Sequence, residues 1–168
     1  MDRIVLGILL IVIVLALAIF VYYQMLDRKK FMAAAHFVNA LDEPLGEWLS
    51  EALSDPDGPP EEDDLRRRLA DCLAKYDETK PMRCEQKTLL LNEAHGLLKM
   101  AYASGAEHPQ TEAWKDRRNE RIEEALEQVN LYNHYVRGYN RSLETRTGAV
   151  VADLLHLKHL TVLKDLRL

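Results

Sequence analysis

The residues best placed to do chemistry lie near the end of the chain. Asp153, His156 and His159 follow one another at intervals of three, so a helix would set them in one row able to share a metal ion through two imidazoles and a carboxylate. No further ligand of suitable spacing stands nearby, and the stronger reading is polar residues on the wet side of an amphipathic segment. His36, His95, His108 and His134 are isolated and read as solvated or capping groups. Cys72 and Cys84 stand twelve apart, which is neither a redox pair nor a zinc spacing, so each reads as a free buried thiol. Glu61-Glu62-Asp63-Asp64 lacks the alternation and the glycine of a calcium loop. The seven glycines are scattered singly and form no phosphate loop, and no GxSxG elbow or Cys-His signature occurs. No catalytic residue, metal or cofactor emerges, and the chain reads as a non-enzyme.

The elements that carry these residues divide sharply by composition. Of 168 residues, Ile4 to Tyr23 carry no charge, while every acidic group except Asp2 follows them. Those twenty residues as a helix rise about 30 Å, the thickness of a bilayer's hydrocarbon core. The run exceeds the apolar stretch of a cleavable leader and leads into Arg28-Lys29-Lys30 without a small-residue cleavage site, so it reads as an uncleaved single-pass anchor. Ile4, Leu10 and Leu17 belong to the span, and Tyr22 and Tyr23 to its interface. Three bases after the span against Arg3 and the α-amino group before it place the domain in the cytoplasm, with the anchor in the cell (inner) membrane. The net charge of −5 argues against nucleic-acid binding. Charge is uneven: no Lys or Arg occurs between Phe31 and Leu65, whereas six bases oppose three acids from Arg137 onward.

Beyond residue 23 the only isoleucine is Ile122, while Leu, Ala, Glu, Lys and Arg abound, a helical vocabulary. Ala34, Val38, Leu41, Leu45, Trp48 and Ala52 give one apolar stripe, interrupted at Pro44, where a kink or a fresh helix start with Asp42 as cap is expected. Residues 54–64 (SDPDGPPEEDD) read as a loop. Helices are then expected from Leu65 to Tyr76, from Glu85 to Ala103 with Gly105 as cap, and from Pro109 to about Arg146. In the last, Ile122, Ala125, Val129, Tyr132, Val136, Tyr139 and Leu143 keep a heptad seam. Residues 149–168 are apolar; Leu155, Leu157, Leu160 and Val162 partly alternate as in a strand, but a final helix is the stronger expectation. The fold class is therefore all-α: an N-terminal transmembrane helix followed by an antiparallel helical bundle with long helices. The parts are an anchor and juxtamembrane segment (1–30), a bundle (31–148) and an apolar C-terminal tail (149–168).

One pattern is more particular. Tyr132-Asn133 and Tyr139-Asn140 are two Tyr-Asn pairs seven residues apart, so the tyrosines share a stripe and the asparagines lie beside it. Buried tyrosines need a partner for the hydroxyl, and Asn133 and Asn140 can hydrogen-bond to a neighbouring helix and fix its register. Structural core is the leading reading, a partner-binding ridge the next. With Arg121, Ile122, Ala125 and Val136 in matching places, Pro109 ahead of the helix and an apolar end after it, this region resembles the C-terminal half of the LemA family of membrane-anchored bacterial proteins. The resemblance covers roughly residues 108–160 and the anchor agrees in position. Where the family has a basic stretch followed by a leucine-rich one, this chain has ALDEPLGEWLSEAL. The resemblance implies a transmembrane helix and an elongated helical bundle, with no catalytic residues or cofactor.

The functional expectation is a membrane-anchored helical scaffold or accessory subunit that binds protein partners of a membrane complex, or further copies of itself. No nucleic acid or small-molecule substrate is expected. The contact residues are Tyr132, Asn133, Val136, Tyr139, Asn140, Leu154, Leu157 and Leu160. The alternatives are a membrane-surface or remodelling module that lays its basic, apolar C-terminal segment on anionic lipid, and a metal-dependent enzyme or sensor built on Asp153, His156 and His159.

Overall fold

The computed structural model describes residues 3–54, 63–81, 83–104 and 111–168. Six helices and no strand occur among them: α1 (Arg3–Ala40), α2 (Asp42–Ser54), α3 (Asp63–Glu78), α4 (Cys84–Ser104), α5 (Thr111–Glu144) and α6 (Arg146–Leu155). Most of the loop expected over residues 54–64, together with Gly105, His108 and Pro109, lies outside the described residues.

Helix α1 has two characters along one unbroken axis. From Ile4 to Val21 nearly every side chain is exposed and apolar, and the helix is long and apolar enough to cross a membrane. Ile4, Leu10 and Leu17 are exposed, whereas Tyr23 is half-buried. From Leu26 onward one side enters the core through Leu26, Ala33 and Phe37. This inner line lies one residue before the stripe expected through Ala34 and Val38, which are half-buried. The helix continues unbroken past residue 30, the expected limit of the anchor segment.

Asp42 opens α2 with Pro44 in its first turn, where the missing N–H costs nothing. Leu45, Trp48 and Leu49 then point inward. The Asp42 carboxylate holds a buried knot of charge: it accepts from Lys87 Nζ of α4 at 2.7 Å and from the Tyr76 hydroxyl of α3 at 2.8 Å. Lys87 lies 4.1 Å from the centre of the Tyr76 ring. Burial, then Asp42, pushes the Tyr76 hydroxyl far above the usual phenol range. Three helices are thereby tied at the joint that follows α1.

The 34 residues of α5 form the spine. Its seam residues Ile122, Ala125, Val129, Tyr132, Val136, Tyr139 and Leu143 are all buried. Against α1 the residue numbers fall as those of α1 rise: Tyr22 reaches Ser142, Lys29 reaches Gly138 and His36 reaches Gln128. Phe37 meets Tyr132 edge-on, with ring centres 5.5 Å apart.

A sharp corner separates α5 from α6. Thr145 caps α6, its hydroxyl accepting from the Gly148 amide at 3.0 Å. Gly148 sits inside α6. A Cβ there would lie 1.8 Å from the Ser142 carbonyl oxygen, so only glycine lets the two backbones approach this closely. The Tyr22 hydroxyl donates to that same carbonyl at 2.6 Å. The corner is thus pinned to the turn of α1 where its exposed apolar stretch ends.

Candidate functional site

The expected final helix is only partly formed. α6 ends at His156, which adopts a left-handed conformation (φ 51°) and donates its amide to Ala152. The chain then runs from Leu157 to Leu168 without helix or strand. Leucine favours helix, so the departure needs a cause. Leu157, Leu160, Leu163 and Leu166 recur every third residue. On an α-helix that spacing drifts round the axis, while on an extended chain with three residues per turn it lines up. Leu160, Leu163 and Leu166 are buried and Leu157 is half-buried.

The tail's backbone is held by side-chain amides. Asn140 Nδ2 donates to the Leu160 carbonyl (2.9 Å) and its Oδ1 accepts from the Leu160 amide (2.8 Å). Asn133 treats Leu163 in the same way, at 2.8 and 2.9 Å. From α4, Asn92 takes the carbonyl of Val162 (2.9 Å) and the amide of Lys164 (2.8 Å), one residue either side of Leu163. Between α4 and α5, residues 162–164 therefore have backbone groups pairing alternately left and right, as a strand does inside a sheet. Asn119, two heptads before Asn133, accepts from the Leu168 amide at 2.8 Å and donates to its carbonyl at 3.3 Å. The Tyr132 hydroxyl donates to the Thr161 carbonyl at 3.3 Å and lies 3.1 Å from the Thr88 hydroxyl. Its buried phenol is pushed up to about 12.

Spacing accounts for the fit. Seven helical residues rise about 10.5 Å, and three residues of extended chain cover about 9–10 Å. Asparagines seven apart on α5 thus meet tail residues three apart. Asparagine is a poor helix former, because its side chain competes for backbone groups; on α5 that same appetite is turned outward to a second chain segment.

The energetic balance is close. Ordering nine residues costs about 1–2 kcal/mol each in backbone entropy. Each buried leucine returns about 1.5–3 kcal/mol and each net hydrogen bond about 0.5–1.5. With three buried leucines and eight paired amide bonds the two sides come within a few kcal/mol of each other, so neither leucines nor asparagines alone hold the tail.

His95 of α4 is buried beneath this segment rather than solvated. Burial first, then Lys99 and Lys164, lowers its pKa to about 4, with Asp165 and a backbone hydrogen bond to Leu166 opposing. Its Nδ1 has no hydrogen-bond partner among the described residues. The imidazole is neutral at pH 7.

The expected contact residues fall into three places. Tyr132, Val136 and Tyr139 lie in the core seam. Asn133 and Asn140 bond to the tail at Leu163 and Leu160, where half-buried Leu157 also lies, so the asparagines fix an extended segment and not a neighbouring helix. Leu154 is exposed on α6. The row of Asp153, His156 and His159 does not form, since His156 ends the helix and His159 stands in the tail, 3.8 Å from Glu144. Among the described residues no cluster of three metal-ligating side chains occurs. Asn92 and Asn119 were not singled out by the sequence; the signals that mark them are the fourteen-residue step from Asn119 to Asn133 and the three-residue leucine period opposite. Comparisons of the chain with protein-family models, curated proteins and solved structures gave no match.

Proposed function

We propose that the protein is a single-pass, membrane-anchored helical scaffold, an antiparallel bundle that captures an extended segment of a partner in a membrane complex. The observation that carries this reading is the asparagine row of Asn92, Asn119, Asn133 and Asn140 on the tail backbone. The row reads main chain, so it asks of its ligand only an extended course with leucine-sized residues at every third position. The chain's own residues 157–168 are the resident occupant, and a partner segment of the same kind replaces them. The likeness to the LemA family at Tyr132-Asn133 and Tyr139-Asn140 is consistent with a membrane-anchored bacterial protein, and Arg28-Lys29-Lys30 after the span with a bundle that faces the cytoplasm. Its divergence from that family over residues 40–53 goes with the acidic surface of α2.

A tethered tail competes at an effective concentration in the millimolar range, so the parent chain binds an outside peptide weakly. The test uses the full chain in detergent with Leu160→Asp, Leu163→Asp and Leu166→Asp together to empty the groove, and a labelled peptide with the sequence of residues 157–168. Fluorescence anisotropy should show the peptide binding the emptied chain at least about tenfold tighter than the parent chain. Adding Asn133→Ala and Asn140→Ala should abolish that binding. An emptied chain of unchanged helicity that takes up no peptide would overturn the proposal.

A further inference from the structure

Helix α6 turns its buried side, Gly148 and Val151, to the bundle. It leaves Val150 (64% exposed) and Leu154 (61% exposed) outside, with Leu155 beside them. Among the described residues Val150 and Leu154 are the most exposed large apolar side chains outside α1, and their position gives them a role. The corner that starts α6 is fastened to Tyr22 and Lys29: Tyr22 donates to Ser142, and Lys29 Nζ donates to the Ser142 hydroxyl at 2.7 Å. That turn of α1 is where wholly exposed apolar residues give way to the packed part, from Val21 to Leu26. The far end of α6 is tethered too, because Asn140 takes up Leu160 only four residues after His156, a reach of at most about 14 Å. Both ends of α6 are therefore kept near the end of α5, beside the base of the apolar stretch. Arg141 and Arg146 are exposed at the corner, and Arg28 and Lys30 on α1.

We infer that α6 is a second membrane contact, lying in the headgroup layer of the bilayer that α1 enters, with Val150 and Leu154 in the acyl boundary and Arg141 and Arg146 against anionic headgroups. A short helix with an apolar row and flanking bases binds such a layer by both terms together. The inference rests on α1 crossing the bilayer and is independent of the peptide reading. The tail beyond Leu157 has no part in it, being turned to the bundle.

The test places tryptophan at exposed positions of the full chain in vesicles of phosphatidylcholine and phosphatidylglycerol carrying acyl-chain bromine. The native Trp48 and Trp114 are buried and give a constant background. Leu154→Trp should be quenched at least half as strongly as Val14→Trp in the span, while Leu131→Trp on α5 is not quenched. Adding Arg141→Glu and Arg146→Glu to Leu154→Trp should weaken its quenching. Strong quenching of Val14→Trp with Leu154→Trp no different from Leu131→Trp would overturn the inference and leave the anchor standing. No quenching of Val14→Trp would overturn both. Quenching of Leu154→Trp unchanged by the arginine reversals would overturn the headgroup contact.

Discussion

Along α5, the side that meets α1 and the side that meets the tail are built on different physics. Toward α1, the contact is between side chains, as where Phe37 meets Tyr132 edge-on in the buried seam that Val136 and Tyr139 continue. Toward the tail, Asn119, Asn133 and Asn140 pair with main-chain groups that any residue except proline supplies. The first contact is specific to its side chains and intolerant of change. The second specifies a path and a register and is tolerant between its leucines. Bundle and tail are therefore expected to come apart in separate steps.

The change that most severely breaks the first contact is Phe37→Ala. Phe37 is fully buried between α1 and α5, so the deletion should cost about 3–5 kcal/mol. Thermal unfolding followed by circular dichroism should show the helical transition of the bundle moved to lower temperature. A variant melting like the parent chain would remove α1–α5 packing from the centre of the account.

Acid tests the second contact from below. His95 has a folded pKa of about 4 against an ordinary 6.5, so the unfolded state binds its proton first. Its contribution is intact above about pH 6.5 and is lost as pH falls toward about 4, amounting to roughly 2 kcal/mol by about pH 5. Lys99 and Lys164 steepen the loss and Asp165 moderates it. Melting temperature should fall over that interval in the parent chain and stay flatter in His95→Gln. Equal slopes in the two would show that His95 is not held neutral.

The mildest change separates the two contacts most cleanly. Asn133→Ala leaves the amide and carbonyl of buried Leu163 without partners, a penalty of about 1–3 kcal/mol. Hydrogen exchange should quicken at Val162, Leu163 and Lys164 while the α1 and α5 amides keep their protection. Uniform loss of protection through α1 and α5 would mean that tail and bundle unfold as a unit, and that the two sides of α5 do not differ in this way.

The same contrast explains what the sequence made legible. The seam of α5 could be read because its cause is local: alternating steps of three and four write the helix and its buried side into consecutive residues. The start of α2 was readable for a similar reason, in Asp42 and Pro44. The tail was not, since the partners that unwind it are remote; Asn92 is seventy residues from Val162. Leucine-rich sequence with no visible partner for its backbone reads as helix, and asparagines facing such a segment then read as helix-to-helix bonds. The inner line of α1 is ambiguous by one residue in the sequence, since Ala33, Ala34, Phe37 and Val38 are apolar on both adjoining rows. Burial of His95 carried no local signal at all.

One consequence follows from the continuity of α1. Its 38 residues run from Arg3 to Ala40 as a single rod of about 57 Å, with Gly7 the only glycine and no proline along it. A spanning helix answers a thinner or thicker bilayer by changing its tilt. Were the apolar stretch to cross a bilayer, the lack of a joint between it and Phe37 would carry that tilt into the packed helices. Lipid thickness would thereby set the angle at which the bundle presents itself, a mechanical input written into the protein by the absence of a hinge.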